Sequence, residues 1–371
     1  MRKTKFYIDP EFRKHFKNLQ QVFLYIIDDC NLRCRQCLYK PDLTFHIKNK
    51  EIKLKTVLDL IYDFKIMGAS KLTIMGGEPT LYGRSKNHKP LFKVIKEAKK
   101  LGYEYIRIDT NGTFNGDLLE NDEFKKLDEI TFSLDGPTAE INDQLRGKGT
   151  FNKCVANIKK AVSLDYNVNI TCCIHKQLLE TNKKGYLFLE EMIDFASSLG
   201  VKRINFHDLF KTGIPRDTWT ENFAPNLSDW LNRFEQITKN IETGKYKIPV
   251  RIPQCFISKK KFKDNPEYYG YCSAKIGDRV LVHPNGIIRV CSLMIGTPYG
   301  VAKYFDNKIV WDNTFTNELG RHELNKLTPC TNQNKKTIIR DFVPLCVSFK
   351  PKQEEIVWGK LEWEKKRRRR L

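Results

Sequence analysis

Three cysteines fall within eight residues, Cys30-Asn-Leu-Arg-Cys34-Arg-Gln-Cys37. A loop that short can aim three thiolates at one iron–sulfur cube but cannot supply a fourth ligand. Such clusters are usually saturated by four cysteines, so three leave one iron open for something else. The competing reading is structural zinc, which takes four protein ligands in paired short spacings; no second pair follows nearby. Farther on, Gly76-Gly77-Glu78-Pro79 offers two positions without a Cβ, where backbone can approach a ligand, and a carboxylate that can accept from an ammonium group. Alone, that tetrapeptide is more often an ordinary turn. Asp109-Thr-Asn111-Gly112 and Ser133-Leu-Asp135-Gly136 also read as turns or N-caps, built from the residues usual there. A His207-Asp208 pair could shuttle protons or form a hydrogen-bonded structural pair.

The segments that must position these groups alternate regularly. Strand-like apolar runs cover Val22–Ile27, Lys71–Ile74, Tyr105–Ile108, Glu129–Ser133, Val168–Ile174 and Arg203–Phe206. Helical patterns lie between and after them at Lys55–Met67, Leu91–Leu101, Gly116–Lys126, Thr150–Leu164, Tyr186–Leu199 and Leu227–Thr243. Six β-then-α units imply a parallel sheet, either curled into a partial barrel or open and doubly wound. In parallel βα barrels the active site collects on the loops after the strands' C-terminal ends, and each motif above follows a strand. Cys154, Cys172 and Cys173 fall inside helix and strand patterns and read as buried apolar residues. Residues 1–20 are charged and aromatic and are expected to form a surface extension over one barrel end.

Together these motifs resemble the radical S-adenosylmethionine (SAM) superfamily. Its CxxxCxxC cysteines hold a [4Fe–4S] cluster whose open iron binds SAM, and its GGEP motif holds the methionine amino group. The resemblance spans roughly residues 20–350 and implies an α/β fold: a partial (β/α)6 TIM-like barrel with a small C-terminal twitch/SPASM-like iron–sulfur domain. It implies Cys30, Cys34 and Cys37 as cluster ligands, and Gly76, Gly77, Glu78, Pro79, Asn111, Ser133 and Asp135 around SAM. Arg146 is carried over as a carboxylate partner, in a segment where the twitch branch often has His-Asp and this chain has Asn142-Asp143.

From about Gly244 the βα rhythm stops. Arg279–His283 and Ile287–Cys291 read as hairpin strands around Pro284-Asn285-Gly286. The layout Cys272-x13-Gly286-x4-Cys291 resembles the opening of a SPASM or twitch domain. That implies one auxiliary [4Fe–4S] cluster on Cys272, Cys291, Cys330 and Cys346, with Cys255 as substitute for either late cysteine. The expected division is 1–20 extension, 21–243 barrel, 244–350 auxiliary-cluster domain and 351–371 basic tail.

The net charge is +21, and six of those charges sit in Lys365-Lys-Arg-Arg-Arg-Arg370. A basic surface attracts polyanions or simply solubilises; the terminal run is a frayed end or a nucleic-acid or anionic-membrane contact. No apolar signal segment opens the chain and no run of eighteen apolar residues exists, so a reducing cytoplasmic location is expected. The resemblance further implies a flavodoxin- or ferredoxin-type electron donor and a radical SAM oxidoreductase. Its substrate would be a small anionic sugar-like molecule, oxidised or epimerised, or else a ribosomally made peptide. The sulfatase-maturing branch, which places Asp after the second hairpin cysteine, is disfavoured by Ser292. The reading of another class is a nucleic-acid-binding iron–sulfur protein, which explains the charge but not Gly76-Gly77-Glu78-Pro79.

Overall fold

The computed structural model describes residues 4–37, 51–209, 227–252, 277–292 and 300–312, with short stretches at 39, 225, 256–258, 264, 295 and 342–344. Its centre is a parallel sheet of β2 (Gln21–Tyr25), β3 (Lys71–Met75), β4 (Tyr105–Thr110), β5 (Glu129–Ser133), β6 (Val168–Ile174), β7 (Arg203–Asp208) and β8 (Val250–Arg251), in that spatial order. Helices α2 (Leu54–Ile66), α3 (Lys89–Lys100), α5 (Thr150–Ser163), α6 (Phe188–Ser198) and α7 (Leu227–Glu242) connect successive strands. This is the α/β parallel-strand architecture of the partial barrel.

Alternation along the strands explains the layering. Ile106 and Ile108, Ile130 and Phe132, Ile170 and Cys172, and Ile204 and Phe206 are buried in the main apolar core. The intervening positions, Arg107 and Asp109, Glu129 and Thr131, Asn169 and Thr171, Arg203, Asn205 and His207, share the opposite face, which lines the barrel. Barrel interiors are usually filled by branched aliphatic side chains. This one is polar.

Three segments depart from the expected pattern. Gly116–Lys126 is no α-helix but two 3₁₀ turns, Gly116–Glu120 and Phe124–Lys126. Asn115 and Asn121 accept from the backbone N–H groups of Asp117 and Glu123, giving the chain local alternatives to a helical ladder. Conversely, α4 (Ala139–Arg146) is an added helix, started by Thr138, whose hydroxyl caps the Ile141 N–H. The N-terminal stretch is not a surface extension alone. β1 (Tyr7–Ile8) and α1 (Pro10–His15) lead into the core with Phe6, Phe12 and Phe16 buried.

The expected hairpin forms as β10 (Arg279–Val282) and β11 (Ile287–Arg289), with Gly286 at φ +84° in the turn. β10 pairs in parallel with β2, Arg279 opposite Gln21 and Val282 opposite Leu24, so the hairpin extends the barrel sheet. β12 (Ala302–Phe305), β13 (Lys308–Trp311) and finally β1 continue it to twelve strands among the described residues. A sheet of two further strands is β9 (Phe256–Ser258) with β14 (Phe342–Pro344). Cys255, Cys272, Cys330, Cys346 and the tail 351–371 lie outside the described residues. No described helix is long and apolar enough to cross a membrane.

Buried Asp63 on α2 fastens the N-terminal segment, accepting from Lys5 N at 2.7 Å and Phe6 N at 2.6 Å. Asp63→Ala strands those donors and should cost about 1–3 kcal/mol. The expected result is a lowered urea midpoint together with faster hydrogen exchange at the Phe6 amide.

Candidate active site

The cysteine loop begins where β2 ends, and the Gly-Gly-Glu-Pro loop where β3 ends. The two are joined backbone to backbone: Gly77 N donates to Ile27 O at 2.7 Å and Glu78 N to Asp29 O at 2.8 Å. A Cβ on Gly76 would collide with Ile27 O, and one on Gly77 with Asp29 O. The glycines are therefore required by the approach of the loop that carries Cys30, a protein contact where the sequence suggested a ligand contact.

Glu78 is buried, and its carboxylate is fully engaged from within. Oε1 accepts from Thr80 N, Thr80 Oγ1 and Thr110 Oγ1, and Oε2 from Asn111 N, at 2.7–3.1 Å. Burial raises its pKa, opposed by those hydrogen bonds. Pro79 opens a short 3₁₀ turn that Glu78 caps. The carboxylate expected to meet an ammonium group thus braces the loops after β3 and β4. Asn111 carries the brace onward, donating to Asn31 Oδ1 at 2.9 Å within the cysteine loop.

Asp135, after β5, is a second hub, with no exposed surface. Its Oδ2 accepts from the Gln36 amide and pairs with the Arg146 guanidinium; its Oδ1 accepts from Cys173 N at 2.7 Å. The Asp135 carbonyl contacts His175 Nε2 at 2.8 Å, and its N–H donates to Asn142 Oδ1 at 3.0 Å. Asp135 consequently positions Arg146 and Gln36, with its own oxygens occupied. Arg35 N also donates to Leu145 O at 2.8 Å, so the cysteine loop is latched to α4 as well as to β3.

Gln36 was not singled out by sequence reasoning. It is buried, sits between Cys34 and Cys37, and its Oε1 has no hydrogen-bond partner among the described atoms. An uncharged residue between two cysteines gives no sequence signal; only its contact with Asp135 marks it. Ser133 is half-buried at the end of β5. His207 is exposed on the barrel-lining face of β7, opposite Cys173 of β6, while the side chain of Asp208 lies outside the described residues. Cys173 is only partly buried and shares that face, unlike Cys154 and Cys172, which are buried.

Cys30, Cys34 and Cys37 are partly exposed and not disulfide-bonded. Burial raises the pKa of Cys30 and Cys34, and nearby Glu78 pushes in the same direction. Thiolates at such positions need a cationic group to receive them. The donor set, with the buried unpartnered oxygen of Gln36 beside it, fits an iron–sulfur cluster and its ligand.

A parallel βα sheet with three thiols and a Gly-Gly-Glu-Pro loop on one rim defines a radical-generating iron–sulfur enzyme. Residues 24–183 match the Radical SAM superfamily, and through this domain the chain belongs to it; members bind a [4Fe–4S] cluster and SAM. GTP 3′,8-cyclase of Lactiplantibacillus plantarum is 30% identical over 146 residues, 39% of this chain but only 42% of that enzyme's length. GTP 3′,8-cyclase of Clostridium perfringens is 23% identical over 282 residues, covering 75% of this chain and 82% of that enzyme. Among solved structures, Streptococcus suis SuiB bound to S-adenosylmethionine superposes with a TM-score of 0.60 at 18% identity, covering 83% of this chain and 67% of SuiB. For anSMEcpe with AdoMet and the Kp18Cys peptide the values are 0.57 and 16%, with 82% of each chain covered. At these identities the superpositions speak to fold.

Gly77→Ala should preserve secondary structure but cost roughly 1–3 kcal/mol through overpacking against Asp29. A lowered Tm with reduced iron content after reconstitution is the expected result.

Proposed function

We propose that Cys30, Cys34 and Cys37 hold the SAM-binding [4Fe–4S] cluster and that SAM lies between their loop and those after β3, β4 and β5. The observation that carries this reading is the backbone pairing of the Gly-Gly-Glu-Pro loop with Ile27–Asp29, which brings both motifs to one rim. When bound, the cluster and SAM supply a 5′-deoxyadenosyl radical that removes a hydrogen atom from substrate.

The chain's own residues prepare that event. Glu78, held by Thr80, Thr110 and Asn111, fixes the Gly76–Gly77 backbone at the rim, where its carbonyls can receive an ammonium group. Arg146, oriented by Asp135, is the cation for a carboxylate, and Gln36 Oε1 is an acceptor facing the same loop. Ser133 offers a hydroxyl at the end of β5.

The substrate reading is a polar, sugar-like small molecule, oxidised or epimerised. The GTP 3′,8-cyclase relatives support a small polar substrate by their name. A second reading, modification of a peptide, draws on neighbours solved with the precursor peptide SuiA and with the Kp18Cys peptide. In either case Cys291, with Cys272, Cys330 and Cys346 (or Cys255), would hold an auxiliary cluster that takes up one electron. A flavodoxin- or ferredoxin-type donor in the cytoplasm would supply the first. The division into barrel 21–243, auxiliary domain 244–350 and tail belongs to this proposal, with the β10–β11 hairpin as the shared seam.

Cys34→Ala, reconstituted without oxygen and supplied with SAM and a reductant, should lose 5′-deoxyadenosine formation while keeping the wild-type Tm. A variant that cleaves SAM at the wild-type rate would overturn the ligand assignment.

A further inference from the structure

The barrel lining contains charges that neither the cysteine loop nor the SAM-facing loops use. Arg107 forks onto Asp109, Nε to Oδ1 at 2.7 Å and Nη2 to Oδ2 at 3.0 Å. Arg203 reaches past β6 to Glu129, Nη2 to Oε2 at 3.2 Å, and Arg107 Nη1 stands 3.8 Å from the same carboxylate. Tyr105 and Thr131 also donate to Glu129. Burial would raise the Glu129 pKa, but those hydrogen bonds hold it below the usual carboxylate range. Two guanidinium groups face two carboxylates, each at contact distance.

This balanced floor is open on one side. Arg107, Asp109 and Arg203 each keep about a fifth of their side-chain surface, whereas Glu129 keeps 1%. Above them His207 is exposed, yet protein atoms surround it closely enough for desolvation to lower its pKa, with the Arg107 charge acting in the same direction. A ring that is both accessible and desolvated lines a concavity. As the neutral imidazole it presents one donor and one acceptor. Asn205, two residues before it on the same strand face, is fixed by Arg203 Nε donating to its Oδ1 at 2.9 Å.

We propose that this lining receives an uncharged, hydrogen-bonding portion of the substrate, a hydroxyl or amide group, which His207 and Asn205 recognise over a charge-compensated floor. The proposal rests on the radical SAM reading and narrows its substrate. A phosphate is bound tightly by guanidinium groups that are not already paired. Here an added anion would have to displace Asp109 or Glu129 from its arginine, stranding a charge in a poorly solvated place. The net charge of +21 pointed toward anionic substrates; among the described residues, the barrel floor does not contribute to that excess.

The test uses full-length, anoxically reconstituted protein and saturation-transfer NMR with four probes: myo-inositol, N-acetylalanine methylamide, myo-inositol monophosphate and GTP. A neutral probe should bind more tightly than either phosphorylated one, and His207→Ala should weaken it about tenfold, the scale of one lost hydrogen bond. The inositol and amide arms distinguish a polyol from a peptide source. Asp109→Asn, which leaves Arg107 without its fork, should strengthen binding of the phosphorylated probes by about tenfold. Preferential binding of a phosphorylated probe to the wild type, no binding of either neutral probe, or no response to His207→Ala overturns the proposal. SAM cleavage is assayed separately on the same protein, so loss of the radical reading and loss of this one are told apart.

Discussion

The site depends on a close approach of two backbones. The strand that leads to the cysteines and the loop that follows β3 meet at Ile27–Asp29 and Gly76–Gly77, with hydrogen bonds at 2.7 and 2.8 Å and no space for a side chain between them. Parallel pairing of β2 with β3 sets the two rims at equal height, and the glycines let the loops remain paired after the strands end. Once that seam is fixed, Glu78 turns inward and its four donors bind the next loop to it. One carboxylate then orders the rim from Cys30 to Asn111.

Asp135 performs a related task one strand farther on. Its partners come from the cysteine loop, α4 and β6, so it couples three elements that are distant in sequence. A buried carboxylate is tolerable because a guanidinium and two further donors face it; removing one partner of such a group is far costlier than the group's net worth. Glu78 and Asp135 together suggest a division of labour, in which acidic residues stiffen the rim and backbone, amide and guanidinium groups remain for the ligand.

Much of this was legible in the sequence. The six strand runs and five of the six expected helices appear close to their predicted bounds, because each carries an apolar face of unambiguous period. Gly116–Lys126 misled because its apolar spacing is helical while Asn115 and Asn121 offer the backbone nearer partners. α4 was missed because its short amphipathic pattern lay within a motif read as loop. The site residues were found by type and spacing, but their roles were not, since only coordinates show that the oxygens of Glu78 and Asp135 are already occupied. Gln36 carries no signal of its own, and the ion pairs of the floor join β4, β5 and β7 across registers that a one-dimensional pattern does not contain.

Charge illustrates the same limit. A total over the whole chain reports how it meets distant polyions, because long-range fields sum. Recognition in an enclosed barrel is decided instead by which charges lack a partner within a few ångströms, because contact pairing there outweighs the distant field. Arg107, Arg203 and Arg146 count toward +21 yet each meets a carboxylate at contact. A strongly basic protein can therefore enclose a nearly neutral chamber. In such a chamber selectivity passes to groups with both a donor and an acceptor to offer, which is the position His207 occupies.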